Sequence, residues 1–168
     1  MKLGTKGRYA VMAMVDLAQS GTNKPVSIME ISLRQNISVS YLEQLFGKLR
    51  KRSQVKSVRG PGGGYILART AKKIKVLDII LAVDEPIKTT RCKGNFPHGC
   101  GVDNTRCLTH DLWSELGNQI SHFLSSVSLD DVVNRRVQGL NEGSFGIDNC
   151  SLETSGLPSQ SSELGALD

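Results

Sequence analysis

Between residues 27 and 69 the apolar pattern of this chain switches once, from a helical period to a strand period, and that switch restricts the fold more than any other feature. Ser27-Ile28-Met29-Glu30 has the spacing of a capping box, in which a serine takes a backbone N–H and a glutamate reaches back to the cap. The helix it opens should run to about Gln35, and Asn36 is a natural left-handed stop. Another helix should start near Ser38 or Ser40, with Ser40-Tyr41-Leu42-Glu43 as a second capping box. Leu42, Leu45, Phe46 and Leu49 share one face of it, while Ser40, Tyr41, Gln44, Lys48, Lys51 and Arg52 share the other. Residues 55–59 and 65–69 then read as two short strands joined by Gly60-Pro61-Gly62-Gly63-Gly64. Two short helices about a tight turn, followed at once by a hairpin, make a helix-turn-helix with a wing.

The remaining segments fit around that motif. Residues 7–20 should form a first helix with Thr5 as its cap. Its apolar residues (Tyr9, Val11, Met12, Met14, Val15, Leu17, Ala18) are too dense for a single stripe, so it should be mostly buried. Residues 74–83 read as a short buried helix ended by Asp84-Glu85-Pro86, and residues 86–106 have no period at all. A long helix is expected over 108–126, striped by Leu112, Leu116, Ile120, Phe123 and Val127. Such a stripe needs covering, and a second copy of the chain is the simplest cover, packing on its own domain being the alternative. Ser128-Leu129-Asp130-Asp131 opens one more short helix ending near Arg136. The expected fold is mainly α with a small β-hairpin. Its parts are a winged helix-turn-helix domain over 1–85, a loop over 86–107, a dimerisation helix and short cap helix over 108–136, and a disordered acidic tail over 137–168.

Charge is unevenly spread. Residues 1–70 hold 12 Lys/Arg against 3 Asp/Glu, whereas residues 137–168 hold no Lys or Arg and five acids. A basic first domain points to a polyanion, and double-stranded DNA is the partner a winged helix-turn-helix suits. Phosphate contacts are expected from Lys2, Arg8, Lys48, Arg50, Lys51, Arg52 and Lys56. Base contacts are expected from Ser38, Ser40, Tyr41 and Gln44, at the end of the second motif helix that would enter the major groove. Arg59, at the edge of the wing, suits a narrow minor groove. Glu43 stands out on this face: phosphates repel it, yet it can accept from cytosine N4, so it either rejects unsuitable DNA or only completes its capping box. The glycine loop is followed by no helix and no Lys-Ser/Thr pair, which argues against a nucleotide site. No nucleophile–base pair is evident, so an enzyme is not expected. No apolar run is long enough for a membrane span and no secretory signal opens the chain, so the cytoplasm is the expected location.

Three of the four cysteines, Cys92, Cys100 and Cys107, fall in one short stretch, with His110 three residues beyond the last. In a cytoplasmic chain such a group reads as a metal or cluster site rather than disulfides. The gaps are wider than the tight pairs of zinc fingers. Three thiolates and an imidazole are the four donors a two-iron cluster needs, and zinc or redox-active thiols remain open on spacing alone.

Leu3-Gly4-Thr5-Lys6-Gly7-Arg8-Tyr9-Ala10-Val11, Ser40-Tyr41-Leu42-Glu43-Gln44-Leu45-Phe46, Val58-Arg59-Gly60-Pro61-Gly62-Gly63-Gly64-Tyr65 and Cys107-Leu108-Thr109-His110-Asp111-Leu112-Trp113 occur in that order. Together they resemble the Rrf-two family of winged-helix regulators, and within it the members that respond to iron–sulfur clusters. The resemblance covers about residues 1–136 and leaves out the tail. It implies a bacterial homodimer, paired through Leu112, Leu116, Ile120 and Phe123. It implies one [2Fe-2S] cluster per subunit on Cys92, Cys100, Cys107 and His110, with the cluster-assembly machinery as donor. It further implies repression of cluster-biogenesis genes by the loaded form, a second class of DNA site open to the cluster-free form, and a role for Glu43 in separating the two. A zinc-bound interaction module and a nitric-oxide-sensing relative are the competing readings. The cysteine gaps are longer here than is common in the family, since Asn95-Phe96-Pro97-His98 and Asn104-Thr105 lengthen the loop, which brings in His98 as a competing ligand. Cys150, in the tail, is assigned no role.

Overall fold

The computed structural model describes residues 4–21, 24–87, 89 and 107–137. The chain divides into two units, Met1–Gln138 and Gly139–Asp168, and every described residue lies in the first. The tail expected over 137–168 therefore falls, Val137 apart, outside the described residues.

Six α-helices and one hairpin are described: α1 (Thr5–Gln19), α2 (Ile28–Gln35), α3 (Val39–Lys51), β1 (Val55–Val58), β2 (Gly64–Leu67), α4 (Val76–Ala82), α5 (His110–Ser126) and α6 (Leu129–Val133). A 3-10 turn, Ala71–Lys73, joins β2 to α4. Helices α1, α2 and α3 share a core with the base of the hairpin, in which Ala10, Ala13, Met14, Ile31, Leu42, Phe46, Leu49 and Ile79 are fully buried. The four residues placed on the inner face of α3 by periodicity, Leu42, Leu45, Phe46 and Leu49, are the four that are buried. Leu129 of α6 is also fully buried in this core, so the last short helix closes the winged domain rather than standing apart from it.

The capping box of α2 forms as its sequence demands. Glu30 N–H donates to Ser27 Oγ at 3.2 Å and Ser27 N–H to Glu30 Oε2 at 2.9 Å. Asn36 ends the helix with φ 52°, in the left-handed region. Ser128 and Asp131 form an equivalent box at α6. Two caps differ from expectation. Thr5 lies inside α1, and Gly4 is the N-cap with no side-chain cap of its own. The second capping box is absent: the N-cap of α3 is Ser38, so Ser40 is already helical. The reason is the shortness of the turn. Asn36 reverses the chain and Ile37 buries at once, with Ser32 Oγ donating to its carbonyl at 2.6 Å. Helical bonding then starts from Ser38 O, which accepts Leu42 N–H at 3.1 Å. Ser40 and Glu43 are thereby left to face outward.

An ion pair holds α1 to α2. Asp16 of α1 is only 4% exposed, and Arg34 grips it through Nε at 3.0 Å and Nη2 at 2.6 Å. Gln35 adds a third donor at 2.8 Å. Burial pushes the Asp16 carboxyl up, but the Arg34 and Gln35 hydrogen bonds and the Arg34 charge outweigh it and hold the carboxyl below its usual value.

The antiparallel hairpin pairs Val55 with Leu67 and Val58 with Gly64. It is tied to the body by Val26, which exchanges two backbone hydrogen bonds with Tyr65 at 3.0 and 2.8 Å. This close approach requires glycine at 64, because a Cβ there would strike the Val26 carbonyl and lie 2.8 Å from Ser27 N. At the tip, Gly60 has φ 107°, a conformation side chains disfavour.

Candidate nucleic-acid interface and cysteine loop

Helix α3 presents one apolar and one polar face, and the second is bare. Ser38, Ser40, Glu43 and Gln44 are all exposed. Tyr41 is half-buried, its ring edge-on to Tyr9 of α1 with centroids 6.0 Å apart. Lys51, Arg52, Lys56 and Arg59 are exposed beyond it along the end of α3 and β1, as is Arg8 on α1. Lys2 lies outside the described residues. Lys48 is engaged within the chain: its Nζ is 3.0 Å from Asp84 Oδ2 and 3.4 Å from the Val83 carbonyl. The hydrogen-bonded Lys48 ammonium holds the Asp84 carboxyl below its usual value, and the charges of Arg52 and Lys6 lower it further. Asp84 thus marks where cations from α1 and α3 gather, a cluster that sequence reasoning missed because its members are far apart in the chain.

Of the cysteine set, Cys92 and Cys100 lie outside the described residues, and so does His98. Cys107 is exposed and His110 is the first residue of α5. His110 N–H donates to the Cys107 carbonyl at 3.0 Å, so a thiol and an imidazole share one turn at the start of the helix. Among the described residues no three metal-binding side chains form a group. A thiolate and an imidazole on one short turn fit the mixed donor set of an iron–sulfur centre. The loop is anchored at its other end too. Thr89 Oγ1 donates to the Trp113 carbonyl at 2.5 Å and lies where a Cβ on Gly117 would be, so glycine is needed at 117 for this approach.

The α5 stripe divides into two parts. Leu112 and Leu116 are exposed, together with Trp113 and Leu108. Ile120 is half-buried, and Phe123 packs against Val76, Ile80 and Val127 of its own chain.

A family model for Rrf2, described as "Iron-dependent Transcriptional regulator", matches residues 3–135. The chain belongs to the Rrf2 family. Among Rrf2-type relatives, the "HTH-type transcriptional regulator IscR" of Photorhabdus laumondii is 54% identical over 137 residues, 81% of each chain. A "Putative HTH-type transcriptional regulator ORF2" of Azotobacter vinelandii is 56% identical over 135 residues, 80% of each chain. Among solved structures, T. potens IscR superimposes with a TM-score of 0.64 at 40% identity, covering 81% of this chain and 88% of that one. CymR (YrzC), the global cysteine regulator of B. subtilis, superimposes with a TM-score of 0.68 at 31% identity, covering 80% and 98%. This Rrf2-family chain is therefore a transcription regulator with a winged-helix fold, not an enzyme, and DNA is its partner. No helix among the described residues is long and apolar enough to cross a membrane.

Proposed function

We propose that the chain acts in the bacterial cytoplasm as a homodimeric regulator that senses iron–sulfur status and represses cluster-biogenesis genes. The observation that carries the DNA-binding part is the bare row of Ser38, Ser40, Glu43 and Gln44 on α3. Hydroxyls, an amide and a carboxylate are base-edge readers, whereas Arg8, Lys51, Arg52 and Lys56 around them are phosphate readers. Freed from any cap, the Glu43 carboxylate is available to accept from cytosine N4 and to repel sites without a donor, which supports its role in separating two classes of site. Arg59 on the wing suits the minor groove.

Exposure of Leu112, Trp113 and Leu116 supports pairing of α5 with a second copy. Cys92, Cys100, Cys107 and His110 would hold a [2Fe-2S] cluster, which when bound supplies a group whose occupancy follows iron–sulfur supply and oxidative damage. A neutral imidazole binds iron less tightly than a thiolate, so His110 is the donor that makes occupancy labile. Regulation requires the loaded and cluster-free chains to differ in free energy on at least one class of DNA. The test is the visible spectrum of protein purified without oxygen, with iron, sulfide and zinc assayed on the same sample. Reddish-brown protein with near-equal iron and sulfide, bleached by Cys92→Ala, is expected. Colourless protein with stoichiometric zinc would replace the sensor with a zinc-stabilised DNA binder.

A further inference from the structure

The opening motif puts glycine at positions 4 and 7, and DNA reading by α3 and the wing uses neither. Gly4 is the N-cap of α1 and Gly7 lies in its first turn. Glycine inside a helix is a poor helix former, so Gly7 calls for a reason. The reason is a cap supplied from 81 residues away: Glu85 Oε1 accepts Gly4 N–H, and Glu85 Oε2 accepts Gly7 N–H at 2.5 Å. A Cβ on Gly4 would run into Glu85 Oε1, and one on Gly7 would lie 3.2 Å from Oε2. Two glycines clear the seat for one carboxylate, which satisfies two orphan donors and complements the positive end of the helix.

The seat lies amid the basic groups. The turn it fixes carries exposed Lys6 and Arg8. The residues just before Glu85 hold the other basic helix, through Asp84 and the Val83 carbonyl on Lys48 of α3. Val83–Asp84–Glu85 thus grips α1 and α3 together. Beyond it, Ile87 packs with Val76, Ile80 and Phe123, and Thr89 is hydrogen-bonded to α5, so one short segment, residues 83–89, touches both α5 and the basic helices.

We propose that Glu85 is a positioning residue for DNA binding: by capping α1 across Gly4 and Gly7 it sets Lys6 and Arg8 relative to α3, without touching DNA itself. This rests on the DNA-binding reading above. The test is fluorescence anisotropy of the full chain over a salt series, on a duplex from upstream of its own gene and on a scrambled duplex of equal length. Glu85→Ala and Gly4→Ala should each weaken binding to both duplexes about tenfold and lower the salt slope by about one, as for a lost phosphate contact. The double variant should be no weaker than either single, because both remove the same clasp. Gly7→Ala serves in place of Gly4→Ala if the latter does not fold. Singles that keep the wild-type salt slope, or losses that add in the double variant, would overturn the proposal even if melting temperatures fall. Wild-type protein that binds neither duplex would overturn the DNA-binding reading itself, and the role of Glu85 with it.

Discussion

Phe46→Ala should cost about 3–5 kcal/mol of folding stability, and most of the DNA affinity with it. Phe46 is fully buried on the inner face of α3, and its ring lies 4.7 Å from that of Tyr65 at 53°. Tyr65 is the residue through which the wing is bonded to Val26. Phe46 therefore packs at the joint between α3 and the wing, and its removal leaves a cavity there. Set against a typical total of about 5–15 kcal/mol, the loss brings the domain near its threshold. Phe46→Leu, which keeps most of the volume, should cost about 1–2 kcal/mol. Urea denaturation followed by circular dichroism measures both. Equal midpoints for the two variants would contradict this packing account.

The Asp16–Arg34 clip should make stability fall as acid is added, and Asp16→Asn should remove that dependence along with about 2 kcal/mol at pH 7. The figure sits below that of a fully buried pair because the Arg34 side chain is 45% exposed and can rehydrate. The sign follows from the direction of the shift. The folded carboxyl has a lower pKa than the unfolded one, so the folded state binds fewer protons. The contribution is therefore complete above the unfolded value of about 3.9 and disappears as pH falls through the folded value beneath it. Glu30 and Asp131 are also held low, mainly by hydrogen bonds from their capping serines, so they add acid dependence of the same sign. Both remain in the variant, so the difference between the two pH profiles isolates Asp16. A difference that stays constant from neutral pH to pH 2 would refute the clip.

The helices and the hairpin were legible in the sequence because their signals are local. Four apolar residues at helical spacing can bury only one face, and a run of glycines after a strand permits few outcomes but a turn. The α2 capping box was legible for the same reason, its two partners being three residues apart. Its apparent twin at Ser40 and Glu43 was not, because position within a helix is decided by where the chain turns, and burial of Ile37 moved that start two residues earlier. Contacts between distant segments left no pattern to read. The Glu85 cap on α1, the Asp16–Arg34 clip and the Asp84 cation cluster all join residues whose proximity exists only after folding. Gly7 was the one available hint, as a poor helix former placed in the first turn of a helix. The α5 stripe shows the limit of periodicity from the other side. It marks Leu112 and Phe123 alike as needing cover, but Val76 and Ile80 of the same chain cover Phe123 while Leu112 stays exposed.

The state of the cysteine loop is expected to alter how the winged helix reads DNA. The most direct test is the affinity of one preparation, cluster-loaded and then cluster-free, for the duplex upstream of its own gene at a single fixed salt concentration. A difference of at least about fivefold is predicted, the lower end of what couples two sites in a regulated protein. Equal affinities for that duplex, and for every other duplex tried, would contradict it.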